Sequence, residues 1–129
     1  MKKRWFTLNR VQKLVNMAGA RLVKFAPTRG DFTMDYRANN RIRGVHLGFT
    51  NGVTLSVQWG TGNYCDQGFT TCEIMAMDED DQPICIPYYL LPEHADQVIG
   101  HVDQEDLLKI IKECSGITEK IRKEVAPVL

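Results

Sequence analysis

The chain lacks several features that would place it at once. It has no apolar run approaching the roughly 20 residues needed to cross a bilayer, because charges such as Lys24 and Lys109 break the longest ones. It has no excess of one charge: 16 Lys plus Arg balance 16 Asp plus Glu in 129 residues. Taken as a bulk number, that balance argues against nucleic-acid and membrane-surface binding. Met1-Lys2-Lys3-Arg4 resembles the start of a signal peptide, but Trp5 to Asn16 includes Arg10 and Lys13 and supplies no apolar segment to follow it. Without an export signal, Cys65, Cys72, Cys85 and Cys114 read as free thiols of a reducing compartment, so a cytoplasmic location is expected. No cysteine or histidine pair has a zinc-type spacing: Cys65 and Cys72 are seven apart, Cys85 follows thirteen later, and His94 and His101 are seven apart. No metal and no cofactor is expected. There are no internal repeats and no low-complexity tracts.

What remains is ordinary globular material, 43% hydrophobic and 25% charged. A chain of this length makes one domain, 1–129, and buries roughly two thirds of its unfolded surface without disulfide staples. Leu8, Val11, Val15, Ala18 and Leu22 recur on one helical face, and Thr7 is placed to cap it. Gly19 interrupts this pattern at a cost of about 1 kcal/mol relative to Ala. The helix therefore stops near Gly19 and restarts, or gives way to a strand at Arg21 to Phe25, and Pro27 ends the segment in either case. Phe32, Met34 and Tyr36 alternate as in a short strand.

The sharpest local signal is the hairpin around Asn51-Gly52. A two-residue turn would set Leu47 opposite Ser56 and Phe49 opposite Thr54. A three-residue turn, Thr50-Asn51-Gly52, pairs Phe49 with Val53, Leu47 with Leu55 and Val45 with Val57. That register builds one apolar face, and it puts Gly52 at the left-handed position that suits glycine. The opposite face then carries His46 near Ser56, Gly48 near Thr54, and Gln58. Because a one-residue slip inverts every side chain, the coherent register is the expected one. Further strands are expected over Thr70 to Met77 and Ile84 to Ile86, with a turn at Asp78 to Asp81. Tyr88 to Leu91 is an apolar stretch ended by Pro92. Asp103 caps a helix with a buried stripe of Leu107, Ile110, Ile111 and Cys114, and Gly116 closes it. Ile117, Ile121 and Val125 suggest another turn or two. The class is α+β: a short antiparallel sheet of three to five strands with a helix from each end of the chain packed on it.

The zero net charge hides an asymmetry. Residues 1–43 hold eleven basic and two acidic residues, a net of +9. Residues 44–113 hold two basic and twelve acidic residues, a net of −10, and the tail 114–129 nets +1. The chain reads as a basic helical front, an acidic sheet-plus-helix body and a tail. On a helical wheel Arg10, Lys13, Arg21 and Lys24 fall within about 80° of one another, a ridge suited to phosphates. The competing reading is that the two halves neutralise each other, inside the fold or across a homo-oligomer.

A second anion-binding candidate combines the polar strand face, His46, Ser56 and Gln58, with the Gly-rich loop that supplies Asn63, Tyr64 and Asp66. Arg37, Arg41 and Arg43 would add charge. The loop matches no Walker or dinucleotide pattern, and a plain connecting turn explains its glycines as well. Cys65 beside Asp66, with His46, His94 or His101, offers a nucleophile and a base in composition only, and no reaction is assigned. The Asp78-Glu79-Asp80-Asp81 run lacks calcium-loop spacing.

Several segments occur in a recognisable order. They are Phe49-Thr50-Asn51-Gly52, Leu55-Ser56-Val57-Gln58, Gly62-Asn63-Tyr64-Cys65-Asp66, Thr71-Cys72-Glu73-Ile74 and Val98-Ile99-Gly100. Over residues 45–113 this resembles a family of small uncharacterised bacteriophage proteins, with Val53 where members often have Tyr. The resemblance implies phage origin and brings no activity with it. Small phage proteins of this kind often act by binding host machinery, so the expectation is an accessory, anti-defence factor of the host cytoplasm. It would sequester a small anionic, nucleotide-type signal or block a host protein. The alternative is a nucleic-acid-binding module using the basic ridge.

Overall fold

The computed structural model describes residues 4–30, 41–60, 65–84 and 98–117. Helix α1 runs Leu8–Ala18. Thr7, in extended conformation, caps it by accepting a hydrogen bond from the Arg10 amide at 3.2 Å. Gly19 stops it, with φ 67°. The Gly19 and Ala20 amides donate back to Asn16 and Val15 at 3.1 and 3.2 Å, closing the last turn. The chain does not restart as a helix. Strand β1, Leu22–Arg29, follows and runs straight through Pro27. That overturns the expected stop at Pro27: β1 is an edge strand, where a missing N–H breaks no inner ladder.

Strands β2 (Ile42–Phe49), β3 (Thr54–Gln58), β4 (Cys72–Met77) and β5 (Ile99–Val102) complete a five-stranded sheet in the order β1-β2-β3-β4-β5. Every neighbouring pair is antiparallel. The β2–β3 register is the expected one, Val45 with Val57, His46 with Ser56, Leu47 with Leu55 and Gly48 with Thr54. Phe49 donates to Val53 O at 2.9 Å and Gly52 to Phe49 O at 3.1 Å, and Gly52 has φ 87°. After β4, Asp78 organises the acidic turn by accepting from the Asp80 and Gln82 amides at 2.9 and 3.0 Å. Of the expected strand at 84–86 only Ile84 is among the described residues; it belongs to no strand but donates to Ala76 O at 3.0 Å, beside a single bridge of Pro83 to Met77. The expected elements at 32–36, 85–91 and 118–125 lie outside the described residues.

Helix α2 spans Gln104–Gly116. Asp103 caps it through the Asp106 amide, and Glu105 and Asp106 complement the positive end of the helix dipole. Gly116 is the last helical residue and Ile117 the cap in extended conformation, so the expected left-handed glycine stop is not used. The stripe Leu107, Ile110, Ile111 and Cys114 is buried as expected. It joins Phe6, Val11 and Val15 from the other end of the chain and Val45, Leu47, Leu55, Val57 and Ile74 from the sheet in one core. Cys72 and Cys114 are small members of that core. The architecture is an α+β two-layer arrangement with both helices on one face of the sheet.

One side chain ties the layers together. The Asn51 amide donates to Cys114 O at 2.7 Å and Ile117 O at 2.8 Å, satisfying carbonyls at the open end of α2. Its oxygen accepts from Val53 N at 3.0 Å, bracing the turn. Replacing Asn51 by Ala removes all three bonds and should lower stability by about 1–3 kcal/mol in chemical denaturation. Asn51→Asp should be at least as damaging, since it keeps only the acceptor and adds negative charge at a helix C-terminus.

Candidate functional site

The sheet's second face is set by the same alternation that builds the core. With Val45, Leu47 and Phe49 turned to the helices, Gly44, His46 and Gly48 turn away. The registers arrange this face in three rows across β1 to β4. The first is Thr28, Gly44, Gln58 and Glu73. The second is Ala26, His46, Ser56 and Met75, and the third Lys24, Gly48, Thr54 and Met77.

Polar side chains on such a face usually meet water. Here Ser56 and Gln58 are only 7% and 8% exposed. They form a chain of hydrogen bonds: the Thr28 hydroxyl donates to Gln58 Oε1 at 2.9 Å, and Gln58 Nε2 donates to Ser56 Oγ at 3.1 Å. Gln58 reaches Thr28 by lying across Gly44. A Cβ on Gly44 would stand 2.3 Å from the Val57 carbonyl oxygen and 2.6 Å from Gln58 Cδ. Gly48 similarly admits Lys24, whose Cβ is 2.8 Å from where a Gly48 Cβ would be. His46 is therefore recessed between two bare positions. Burial lowers its pKa from 6.5, reinforced by the positive charges of Lys24 and Arg43 and partly opposed by Asp81. The imidazole is thus neutral at pH 7, with one nitrogen a donor and the other an acceptor.

The structure thus brings His46, Ser56 and Gln58 together as expected, and adds Lys24, Thr28 and the Gly44 gap. Arg41 is exposed just before β2, and Arg43 is half-buried at its start. Arg37, Asn63 and Tyr64, along with His94, lie outside the described residues. Asp66 is not free to hold a ligand: its carboxylate accepts from the backbone amides and hydroxyls of Thr70 and Thr71. Its slight burial would raise the pKa, but these bonds win and hold it at about 2. The basic ridge is corrected. Arg10 and Lys13 are exposed on α1, whereas Arg21 follows the Gly19 stop and Lys24 belongs to the opposite face of the sheet. A wheel placing all four on one ridge requires a helix continuous to Lys24, and α1 ends at Ala18.

Cys65 does not meet His46. It packs against the core on the helix side, and its thiol pKa is raised, first by burial, against the pull of the Gln67 and Gly68 amides. Among the described residues no three His, Cys, Asp or Glu side chains gather as a metal site. The Gly44 gap was legible in the sequence only as a glycine alternating with core residues. Thr28 carried no signal, because its role depends on strand pairing with a segment on the far side of a long loop.

Two measurements test this geometry. Gly44→Ala should cost about 1–3 kcal/mol, because the added methyl meets backbone and displaces Gln58. The second concerns pH, because His46 and Asp66 both have folded pKa values below their unfolded ones. Each therefore contributes stability that is full above the unfolded value and lost as pH falls through the folded one. Stability should decline below pH 6.5 through His46, and again between 3.8 and about 2 through Asp66. His46→Gln should flatten the first decline in urea melts, and Asp66→Asn the second. The chain matches no protein-family model, no curated protein and no solved structure, so the site rests on its own geometry.

Proposed function

We propose that the protein acts by binding, with the sheet face around His46 as the seat for a small ligand carrying an anionic, nucleotide-type group. The observation that carries this reading is the buried Thr28–Gln58–Ser56 chain, which holds polar groups in fixed positions beside His46 on the face turned away from the helices. Because Gln58 donates to Ser56 Oγ, the Ser56 hydroxyl keeps its own proton to donate. Neutral His46 offers a donor and an acceptor beside it, and exposed Lys24 offers charge. Met75 and Met77, in the same rows on β4, supply polarizable surface for a flat ring. These groups make a preorganised recognition set of the kind small-ligand sites use.

In a phage setting, which the order of segments between residues 45 and 113 supports, such a protein would sequester a host nucleotide signal as an anti-defence factor in the host cytoplasm. The nucleic-acid alternative loses its main support. Arg10 and Lys13 no longer share a surface with Lys24, so no continuous basic track follows from them.

Native mass spectrometry of the purified protein, incubated with a panel of linear and cyclic nucleotides, tests the reading. A retained ligand is expected, with Lys24→Glu and His46→Ala each weakening binding by about tenfold or more, as for a lost charge-assisted hydrogen bond. An anion held beside His46 raises the imidazole pKa, so binding takes up a proton and should tighten as pH falls from neutrality toward 6. No retained ligand across the panel overturns the proposal.

A further inference from the structure

A pocket of about 410 Å³ opens where the chain enters α1, on the other side of the sheet from His46. Phe6, Leu8, Ile42 and Trp59 form its walls, with Arg4 and Thr7 among the residues lining it. Phe6 and Trp59 stack on each other at 6.2 Å between centroids and 29° between planes and form its buried floor, and half-buried Leu8 and Ile42 are its accessible apolar sides. The lining contains no acidic residue, and neither does the first turn of α1.

Arg4 is the anomaly here. It is half-buried, its guanidinium lies over the Phe69 ring at 5.4 Å, and its Nε is shielded from water without a hydrogen-bond acceptor. Among the described residues no carboxylate pairs with it. A cation in that setting is costly to keep unless something anionic reaches it. The neighbouring pocket, of about 400 Å³, is different: Arg10 shares it with Asp103 and Glu105, so it contains its own counter-charges.

We propose that the Arg4 pocket binds a small organic anion with a flat apolar body, an aromatic carboxylate. Its ring lies between Leu8 and Ile42 over the Trp59 edge, and its carboxylate pairs with the Arg4 guanidinium. The apolar walls give affinity, and the single cation selects the charged form over its neutral analogue.

The test titrates a naphthalene carboxylate and its neutral amide into the isotopically labelled full chain. The Trp59 indole N–H resonance, assigned with Trp5→Phe, is followed by NMR. The carboxylate should move that resonance and bind about tenfold more tightly than the amide, the factor expected of one charge-assisted hydrogen bond in a half-buried setting. Arg4→Met should erase the preference while leaving the amide's affinity unchanged, and Arg4→Lys should keep part of it. The two-probe comparison on the wild-type chain needs no variant to fold. Equal affinity for the two probes, a Trp59 resonance that neither moves, or a preference that survives Arg4→Met overturns the proposal.

Discussion

The three hydrogen bonds of Asn51 are the constraint on which most of the molecule depends. Through Val53 they hold a three-residue turn, and the turn length sets the β2–β3 register. Through Cys114 and Ile117 they fasten the end of α2 to the hairpin tip. A turn one residue shorter would exchange the two faces of β3, placing Ser56 and Gln58 under the helices and Leu55 and Val57 outside. Turn, core and outer face are therefore one decision made at one residue, and α2 is docked by the side chain that makes it.

The outer face follows from that decision but is shaped by glycine. A row of Thr28, Gly44 and Gln58 works because Gly44 leaves a channel for the Gln58 side chain. Any larger residue there would push Gln58 off Thr28 and release Ser56. A buried polar chain is stabilising only when each member is satisfied, so the network and the glycine have to be kept together. This coupling separates the face from a merely solvated one, where a threonine, a glutamine and a serine would each make their own bonds to water.

What could be read from the chain divides along physical lines. The hairpin, the Thr7 and Asp103 caps and the α2 stripe are local, with signal and structure within a few residues of each other. The basic ridge failed because a helical wheel extends the period past Gly19, where the left-handed cap ends it. Pro27 looks like a stop in the chain because its tolerance depends on β1 being an edge strand, a property of the assembled sheet. Strand β5 is illegible in the sequence for a similar reason. Four residues containing Gly100, and His101 at φ 53°, carry little strand signal of their own and pair only because β4 presents a ladder. In the site, His46, Ser56 and Gln58 came from the hairpin register. Lys24 and Thr28 depend on the pairing of β1 with β2, and the isolated Asp66 gives no sign that its acceptors are used up by Thr70 and Thr71.

The charge asymmetry takes a different form in three dimensions. Along the sequence a basic front precedes an acidic body, but antiparallel pairing threads the front into the body's own sheet. Arg29, Arg41 and Arg43 gather at the end of β1 and β2 where Gln58 and Glu73 form the outermost row. Lys24 lies toward the other end, in the row with Met77, which leads into the acidic turn of Asp78 to Asp81. The two signs thus alternate around the sheet instead of forming two surfaces, and His46 at the centre feels Lys24, Arg43 and Asp81 together. A phosphate backbone needs a track of one sign, which this arrangement breaks. A small anion needs one or two cations beside directional donors, which the interleaving supplies at Lys24 and His46. Among the described residues, the same zero net charge that argues against anionic partners in bulk is, once folded, an interleaving that suits the proposed small anion better than a long one.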